Sequence, residues 1–519
     1  MIFFYASLIS PVGDMMEKKS DKVLTLEILT VSKKLFMSTI YLKLFLIPFF
    51  LLNNFFSNTS QAQHKNVLII YSDDQSYNTI RALGNHEIYT PNLDKLVEQG
   101  LSFTEAHVMG GHQGAICMPS RAMMLTGRYL NRLPGDGNVI PDSIVSLPEV
   151  LRREGYTTFH CGKWHSDKAS HHRFFNAGSD IFFGGMHFEG QGGQFHPYIY
   201  DYNDKGDYPQ NGGYKSNTYS TELYANAAIK FLESDTAKKK PFLCYVAFTS
   251  PHDPRTPPAA FRNAHQAANI PLPPNFLPAH PFDNGDLRVR DELLLPHPRT
   301  QSAVKKQIAL YYDMVSEMDA QVGRILDALD RSGLRNSTMI VFASDNGLAV
   351  GQHGLLGKQN LYEHSIRVPM IFVGPGIPIN KQTHAFAYLS DITPTIYDWL
   401  KVKAPSTVEA KSLMPIFRDP NTKVRNNIYN IYGHWSRSVK TSDGYKLIAY
   451  NVKGDKYLQL FNLKKDPWEI DNLVDLPEEQ ERLQQLWLLL KEEMKAAHDD
   501  LDIDKPDWGR KSEQKSHGS

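Results

Sequence analysis

Five apolar runs recur along the chain, and each is long enough for one buried strand. They begin at residues 67, 156, 242, 338 and 368. Runs without polar alternation are typical of strands buried on both faces, as in a parallel sheet. Segments with a helical period separate them, at residues 93–99, 147–153, 223–232 and 311–329. The alternation predicts an α/β fold with a large mixed, mostly parallel sheet sandwiched by helices.

The pattern changes near residue 426, where short alternating runs begin. Such runs are typical of an antiparallel sheet with tight turns. An amphipathic segment at residues 478–498 predicts a helix that accompanies this small C-terminal sheet. The predicted divisions are an upstream segment with an export signal, a large catalytic domain, a C-terminal α+β subdomain and a flexible tail, at residues 1–62, 63–420, 421–500 and 501–519.

The export signal is predicted from a short apolar run at residues 44–52. Lys43 precedes this run, and a small-x-small site formed by Ser60 and Ala62 follows it, as in secretory signal peptides. The run is shorter than the ~20 apolar residues that span a bilayer. We therefore expect translation to start at Met37 and the protein to be periplasmic or secreted, without stable membrane insertion. The alternative is a membrane anchor, because two phenylalanines extend the run.

Charge and cysteine content narrow the function classes. The chain has 56 Lys and Arg residues against 56 Asp and Glu residues, so no broad positive field is available for nucleic acid or an anionic membrane. We expect no nucleic-acid partner. Three cysteines form no disulfide framework. Cys161 and Cys244 lie in apolar runs and are expected to be small buried hydrophobes, whereas Cys117 does not.

Polar residues directly follow four of the five predicted strands. They are Asp73 and Asp74, Lys163 and His165, His252, and Asp345 and Asn346. Ligands of open α/β sheets bind at this carboxyl edge. The acids and the amide supply only oxygen donors, which suit a hard cation such as Ca²⁺ and not Zn²⁺. A single Asp-Asp pair is more often a turn or a helix cap, but a second such site on another strand favours a metal.

The stretch ICMPSRAMMLTGR, residues 116–128, predicts a helix with a cysteine at its start. Pro119 suits the first helical turn, so Cys117 is expected at the amide-rich end where an anion is favoured. Arg121 would follow about one turn later on the same side. These residues predict an anion pocket that contains a sulfur atom. A buried or thiol-reactive cysteine near a helix cap is the alternative, and it leaves Pro119, Ser120 and Arg121 unexplained.

These residues resemble the signature of the type I sulfatases, in which the cysteine is converted after translation to formylglycine (3-oxoalanine). The two halves of the signature are residues 117–121 and 125–128. Other motifs similar to those of the family follow in order, at residues 73–74, 162–165, 250–252, 344–347 and 354–358. The resemblance covers about residues 64–475. It implies an alkaline-phosphatase-like fold and an enzyme that hydrolyses sulfate monoesters.

The resemblance also implies roles for individual residues. The implied ligands of one divalent cation, Ca²⁺, are Asp73, Asp74, Cys117, Asp345 and Asn346. The implied catalytic residues are Cys117, Arg121, Lys163, His165, His252 and Lys358. Three of these, the two lysines and the arginine, would surround the sulfate oxygens and stabilise developing charge. His165 would lie near the formylglycine hydroxyls, one of which attacks sulfur, and His252 near the leaving oxygen as a general acid.

A segment at residues 167–216 is rich in glycine, aromatic residues and histidine. A glycine-rich lid without specificity and a sugar-binding loop are equally good interpretations. The residues to test first are His187, His196 and Arg255. Most of the 20 histidines are expected to be ordinary, and we assign no role to His112, His353 or His364.

The function expected from the resemblance is that of an exported sulfatase. Its substrate would be a sulfated polysaccharide or its oligosaccharides, with marine algal polysaccharides such as ulvan as candidates. Its expected partners are this sulfated carbohydrate and a formylglycine-generating maturation enzyme. One alternative is a phosphonate or phosphate ester hydrolase of the same superfamily. The other is an unmodified, inactive glycan-binding protein.

Overall fold

A nine-stranded sheet forms the centre of the fold in a computed structural model that describes residues 64–509. The predicted export signal and its membrane-anchor alternative lie outside the described residues. The described strands are β1 (Asn66–Ser72), β2 (Leu101–His107), β3 (Gly110–Gly111), β4 (Thr157–Lys163), β5 (Ala177–Phe182), β6 (Tyr198–Ile199), β7 (Tyr214–Lys215), β8 (Phe242–Ala247), β9 (Thr338–Ser344), β10 (Arg367–Val373), β11 (Lys381–Thr383), β12 (Ala387–Tyr388), β13 (Asn427–Tyr432), β14 (Ser436–Thr441), β15 (Tyr445–Val452) and β16 (Asp455–Asn462).

Helices cover both faces of this sheet. The described α-helices are α1 (Pro91–Gln99), α2 (Cys117–Thr126), α3 (Leu147–Arg153), α4 (Lys168–Phe174), α5 (Ser220–Leu232), α6 (Asp235–Lys239), α7 (Gln301–Arg331), α8 (Glu363–Ile366), α9 (Ile392–Leu400), α10 (Met414–Arg418) and α11 (Gln480–Ala496). Within residues 64–509, none of these helices combines the length and the apolar character that crossing a bilayer requires.

The strand order is β11-β2-β10-β9-β1-β8-β4-β5, and β12 pairs with β2. Strands β1, β4, β5, β8 and β9 are parallel, while β10 runs antiparallel to both of its neighbours. The predicted fold class, a mixed and mostly parallel sheet between helices, is confirmed. The reversed direction of β10 explains why this apolar run ends in Gly-Pro-Gly: its carboxyl end lies at the opposite edge of the sheet.

Burial on both faces accounts for the continuous apolar runs. In β1, Val67, Ile69 and Tyr71 belong to a core that includes residues of α2, α3 and α9. The alternate residues Leu68 and Ile70 belong to a second core with residues of α1, α5 and α7. Every β1 residue is therefore shielded from water, because successive side chains of a strand point to opposite faces. The sheet positions the loops at its carboxyl edge as a rigid scaffold.

The second sheet has the order β16-β15-β14-β13-β3. Its last four strands in the chain are antiparallel, and α11 packs on them through Leu486, Leu490 and Met494, which are buried. The predicted antiparallel sheet with its helix is thus confirmed. The sequence predicts a flexible tail from residue 501, but Ile503 and Trp508 are buried in the core, because their side chains are apolar; residues 510–519 lie outside the described residues.

Strand β3 joins the second sheet although it comes from the N-terminal part of the chain. Gly110 pairs in parallel with Ile431 of β13. A Cβ atom at Gly110 would lie 1.8 Å from the Ile431 carbonyl oxygen, and the backbone φ there is +113°. Only glycine fits this approach. The pairing of Gly110 with Ile431 therefore fixes the position of the chain a few residues before Cys117.

Buried charges connect the two sheets. The Glu363 cluster consists of Glu105, His107, Glu363, Lys440, Lys446 and Glu469. The two carboxylate oxygens of Glu363 lie 2.8 Å from Lys440 Nζ and 3.0 Å from Lys446 Nζ. Lys446 Nζ also lies 2.7 Å from Glu469 Oε1, and Lys440 Nζ lies 2.5 Å from Glu105 Oε2. Each carboxylate of the cluster therefore has a lysine partner.

Candidate active site

Two pairs of oxygen-bearing residues meet because the strands that they follow are neighbours. Asp73 and Asp74 follow β1, Asp345 and Asn346 follow β9, and the two parallel strands pair up to Ser72 and Ser344. The Asp74 N–H donates to Asp345 Oδ1 at 3.0 Å. The φ of Asp74 is +64°, a left-handed conformation that aspartate tolerates better than most residues. The structure thus brings together the four oxygen-bearing residues that the sequence predicts as metal ligands.

Lys163 reaches the same place from the end of β4, two strands away from β1. Its Nζ donates to Asp73 Oδ2 at 2.7 Å. Gly162, the preceding residue, has a φ of +94°, and a Cβ there would lie 1.9 Å from the Ala247 carbonyl oxygen. A side chain at this position would force β4 away from β8. The glycine therefore sets the path that brings Lys163 to the acids.

Cys117 is the first residue of α2, and Pro119 lies in the first turn of this helix. Its thiol is buried, with the residue only 2% exposed. The Sγ atom lies 3.2 Å from His165 Nδ1, 3.4 Å from Lys163 Nζ and 3.8 Å from Lys358 Nζ. Two cationic groups and a histidine therefore surround the atom at position 117, at the amide-rich end of a helix.

Arg121 lies one turn further along α2 and is directed at the acids. Its Nε and Nη2 lie 2.9 Å and 2.8 Å from Asp345 Oδ2, and Nη2 lies 3.7 Å from Asp73 Oδ1. Its Nη1 donates to the Tyr245 hydroxyl at 3.3 Å. The guanidinium thus neutralises the carboxylates and fixes their positions. Its expected contact with substrate oxygens stays a prediction.

Lys358 and His252 complete the arrangement around Asp74. Lys358 Nζ and Asn346 Nδ2 each donate to Asp74 Oδ1 at 2.6 Å. His252 Nε2 lies 3.5 Å from Asp74 Oδ2. His252 Nδ1 lies 2.7 Å from the Asp253 carbonyl oxygen, which can only accept, so Nδ1 carries a proton. All predicted catalytic and metal-binding side chains therefore lie in one connected network.

Electrostatics in this network follow from burial and from neighbouring charges. Burial and the nearby Asp73 carboxylate together raise the pKa of Asp345 to about 7, against the influence of Arg121. Burial also raises the pKa of Asp74, but His252 and Lys358 outweigh it, and the net pKa is lowered. Burial and the Lys163 charge hold the pKa of His165 well below its usual range. His165 is therefore a neutral ring.

The residues fit a divalent cation. Ligand atoms of Asp73, Cys117 and Asp345 lie within 4.8 Å of one another. Asp73 Oδ1 and Asn346 Oδ1 are buried without a hydrogen-bond partner, and unpaired buried acceptors are costly unless something compensates them. Oxygen donors of this kind are the ligands that Ca²⁺ and Mg²⁺ prefer. The two unpaired oxygens thus indicate where a cation would be held.

The three residues singled out in and near the lid segment have different surroundings. His187 is buried, with its ring centroid 4.0 Å from that of Phe182 and its Nε2 3.0 Å from the Tyr224 hydroxyl. His196 is exposed. Arg255 donates from Nη1 to Gln307 at 2.7 Å, while its Nε and Nη2 are buried without partners. The structure does not bring these three into the network around Cys117.

The histidines left without a role are held by other contacts. His112 Nδ1 lies 2.7 Å from Asp136 Oδ1. His353 stacks on Tyr362, with ring centroids 3.9 Å apart. Both ring nitrogens of the neighbouring His364 are buried without hydrogen-bond partners.

Sequence reasoning missed three supporting residues. Tyr245 holds Arg121 from inside an apolar run, where its hydroxyl gives no sequence signal. The Tyr311 hydroxyl donates to the Asp74 carbonyl oxygen at 2.7 Å. Tyr311 belongs to α7, more than 200 residues further along the chain. Asp253 lies behind His252 and is paired with Arg290. Only Asp253 could have been found, because it directly follows the histidine.

Comparison with known proteins adds to this geometry. Residues 65–402 match the family model named Sulfatase, and residues 351–497 match the model named N-sulphoglucosamine sulphohydrolase, C-terminal. An arylsulfatase of Clostridium perfringens is 27% identical over 470 residues, with 84% of this chain and 95% of the relative aligned. An N-acetylglucosamine-6-O-sulfatase of Bacteroides thetaiotaomicron is 25% identical, with 85% and 88% aligned. An ulvan-active sulfatase of Formosa agariphila is 24% identical, with 80% and 78% aligned.

Solved structures share the fold. A protein in complex with its substrate D-glucosamine-2-N,6-O-disulfate superposes with a TM-score of 0.68 at 22% identity, covering 84% of this chain and 99% of that protein. A phosphonate monoester hydrolase of Agrobacterium radiobacter superposes with a TM-score of 0.67 at 20% identity, covering 83% and 96%. At these identities the likeness supports the alkaline-phosphatase-like fold and not a particular substrate.

Proposed function

The chain belongs to the sulfatase family, whose members are sulfuric ester hydrolases, and on that premise we propose that it removes sulfate from a sulfated polysaccharide or its oligosaccharides after Cys117 becomes formylglycine. One observation carries the proposal: the atom at position 117 lies within 3.8 Å of two lysine ammonium groups and one histidine. An anionic ester would be held there against the nucleophile.

The net reaction breaks the ester bond between sulfur and the sugar oxygen and consumes one water, giving an alcohol, sulfate and a proton. The hydrate of formylglycine would supply the attacking hydroxyl, and a cation held by Asp73, Asp74, Asp345 and Asn346 would supply positive charge beside it. Lys163 and Lys358 bind sulfate oxygens and stabilise the charge that develops on them.

Two histidines hold the protons of this reaction. His165 Nδ1 lies 3.2 Å from the atom at position 117, so a neutral His165 ring accepts a proton from the group there. His252 carries its second proton on Nε2 when it is protonated, since Nδ1 is engaged by the Asp253 carbonyl. His252 donates this proton to the departing sugar oxygen, which would otherwise leave as an alkoxide.

The lid segment supports a carbohydrate substrate. Phe188, Phe195 and Tyr214 remain exposed, and aromatic faces of this kind suit the apolar faces of sugar rings. Gln194 anchors the segment, because its Nε2 donates to the Thr249 carbonyl at 3.3 Å and approaches the His252 carbonyl at 3.5 Å. Phe195, which directly follows Gln194, is thereby held near His252.

Polysaccharides such as ulvan remain the candidates we favour. The names of the relatives support this class, since one is an ulvan-active sulfatase and another an N-acetylglucosamine-6-O-sulfatase. We further propose Ca²⁺ as the cation and the periplasm as the location, the latter from the signal pattern of residues 1–62 alone.

The test is sulfate release by protein made together with a formylglycine-generating enzyme. Ulvan, carrageenan and glycosaminoglycan oligosaccharides are compared, and ion chromatography measures free sulfate. Peptide mass spectrometry across position 117 must show loss of sulfur in the active preparation. We expect turnover of at least one substrate class, and none by a Cys117→Ala variant that folds normally. Turnover by the alanine variant would refute the nucleophile assignment.

A second candidate is phosphonate or phosphate ester hydrolysis. It is favoured by the shared fold of the phosphonate monoester hydrolase, because the same cations would bind a phosphoryl group. Aryl sulfate, aryl phosphate and aryl phosphonate esters with one common leaving group separate the two activities. A higher kcat/KM for a phosphorus ester would replace the sulfatase proposal. If mass spectrometry finds cysteine retained in the native host, the inactive glycan-binding alternative would hold.

A further inference from the structure

A groove lies beside the reaction centre, on a part of the surface that the proposed mechanism does not use. It consists of two cavities of about 470 and 210 Å³ that share Asn78 and Trp468 in their walls. We call it the Trp468 groove and define it by Tyr77, Asn78, Asn275, Tyr312, His364 and Trp468. None of the catalytic or metal-binding candidates lines either cavity.

One residue connects the groove with the reaction centre. Tyr311 lines the larger cavity, and its hydroxyl donates to the Asp74 carbonyl oxygen and accepts from the Ser76 N–H at 3.0 Å. The chain from residue 74 to residue 76 therefore separates the cation site from the groove. A ligand in the groove would not touch the reacting atoms, but it would lie close to them.

The smaller cavity contains buried polar atoms that lack partners. Asn275 is 7% exposed, and its Oδ1 accepts no hydrogen bond, although its Nδ2 donates to His353 and to the Trp468 carbonyl. Both ring nitrogens of His364 are also unpaired. Such atoms require a ligand or water that can both donate and accept hydrogen bonds. An apolar ligand would leave them unsatisfied.

Aromatic rings also line the wall. Tyr77 and Trp468 are half-buried and line the smaller cavity, and Tyr312 lines the larger one. Aromatic rings beside a few convergent polar groups are typical of ligand sites. A pyranose ring satisfies both requirements, because its C–H face packs on aromatic rings and its hydroxyls both donate and accept.

The two carboxylates of the smaller cavity are already paired. Glu363 and Glu469 line the smaller cavity and are bound by Lys446. The Arg367 guanidinium lies 3.9 Å from the centre of the Tyr77 ring, and its Nε donates to the Thr104 carbonyl. A sulfate group placed here would face the carboxylates of Glu363 and Glu469 as well as the Arg367 guanidinium, which is packed on Tyr77. The two carboxylates repel an anion, so this wall suits an uncharged ligand better than a sulfated one.

From these observations we propose that the Trp468 groove binds unsulfated sugar residues of a glycan chain. The choice of a carbohydrate rests on the proposed function, whereas the polarity of the ligand follows from the unpaired atoms. Binding there would hold a polymer near the reaction centre and raise the local concentration of its sulfate esters.

Binding is tested directly on the full chain with chemically desulfated oligosaccharides of four to eight residues, prepared from ulvan, carrageenan and heparin. Calorimetry and saturation-transfer NMR measure the affinity. The uronic acids of the ulvan and heparin fragments are carboxyl-reduced, so that every probe is uncharged. We expect one of these backbones to bind, and Trp468→Ala to weaken binding by about tenfold, equivalent to the loss of one aromatic contact. Trp468→Phe should recover part of the affinity, and Asn78→Ala should weaken it. Tyr89→Ala, at an exposed ring outside the groove, is the matched control.

Kinetics separate the groove from the reaction centre. In matured protein, Trp468→Ala should leave kcat/KM for a small aryl sulfate unchanged and raise KM for the polymer several-fold. Inactivity of the wild type on every sulfate ester would defeat the proposed function while leaving the binding result intact. The groove proposal fails if none of the three backbones binds, because water alone would then fill the cavity. It also fails if Trp468→Ala binds as tightly as Tyr89→Ala.

Discussion

The ionic cluster at the reaction centre and the Glu363 cluster are both buried, and they are built from the same kinds of side chain. The cluster at the reaction centre combines Asp73, Asp74 and Asp345 with Arg121 and two lysines. The Glu363 cluster combines three glutamates with Lys440, Lys446 and His107. In the Glu363 cluster, every carboxylate has a lysine partner. At the reaction centre, Asp73 Oδ1 and Asn346 Oδ1 lack hydrogen-bond partners.

This difference distinguishes an ion network that stabilises the fold from one that can bind a cation. Glu105, His107 and Glu363 are close enough to ligate a metal, but Lys440 Nζ lies among them, 3.4 Å from His107 Nε2 and within 2.8 Å of both acids. The lysine supplies the positive charge that a metal would bring. Shifted pKa values occur at functional sites and in structural ion-pair networks alike. In this protein the oxygens that lack hydrogen-bond partners distinguish the reaction centre from the Glu363 cluster.

We call the cluster at the reaction centre the open cluster, because some of its oxygens lack hydrogen-bond partners. The largest expected effect is on catalysis at this cluster. Asp345→Asn should lower kcat/KM for an aryl sulfate by about a thousandfold or more, since a metal ligand and the partner of Arg121 are lost together. Its free energy of unfolding should fall less than that of Glu363→Gln. Burial and the Asp73 charge raise the pKa of Asp345 to about 7, so its carboxyl group is only partly ionised near neutral pH and the amide removes less charge. Steady-state kinetics and urea unfolding measure the two effects. An active variant, or one that no longer folds, would erase the contrast between the clusters.

The Glu363 cluster is the closed cluster, because every carboxylate in it has a lysine partner. It should show the opposite pattern, with a loss of stability and no loss of activity. Glu363→Gln removes a charge from two buried lysines and should lower the free energy of unfolding by about 3–5 kcal/mol. The activity of the remaining folded protein should match the wild type. Urea unfolding gives the stability, and Glu233→Gln, which breaks an exposed pair with Arg331, should cost at most about 1 kcal/mol. Equal effects of the two substitutions would contradict a closed, stabilising network.

Metal removal should affect only the open cluster. A bound cation at 100 times its Kd stabilises the folded state by about 2.7 kcal/mol, so EDTA should lower Tm and Ca²⁺ should restore it. The shift should persist in Glu363→Gln and disappear in Asp73→Asn. Calorimetric scans with and without chelator provide the measurement. A shift lost in Glu363→Gln instead would place the cation in the other cluster.

The smallest expected effect concerns the edge of the open cluster. Arg290 pairs with Asp253, which lies behind His252, and its side chain is 42% exposed. Arg290→Ala should lower kcat by about five- to tenfold, or roughly 1 kcal/mol. The loss should grow for substrates whose alcohol is a poor leaving group, and Arg290→Lys should recover part of it. A leaving-group dependence identical to the wild type would make Arg290 merely structural.

The sequence predicted the open cluster far better than the closed one. Asp73, Asp74, Lys163, His252, Asp345 and Asn346 could be found because polar residues at strand ends interrupt a regular apolar pattern. Lys440 and Lys446 could not, because a polar residue in an alternating strand has the same pattern whether it faces water or a buried glutamate. The Tyr311 contact with Asp74 was equally invisible, since a helical tyrosine gives no sign of the distant backbone that it meets.

The pairing of β3 with β13 places a limit on when Cys117 can be modified. In the folded chain Cys117 is 2% exposed, so the maturation enzyme that we propose would have to reach it before the surrounding structure closes. The partner strand of Gly110 begins at Asn427, about 300 residues after the cysteine leaves the ribosome. At ordinary synthesis rates that interval is roughly 15 to 60 s. The proposed conversion of Cys117 must therefore be complete before translation and folding bury the residue. Slow supply of the maturation enzyme would leave a permanent population of unconverted molecules.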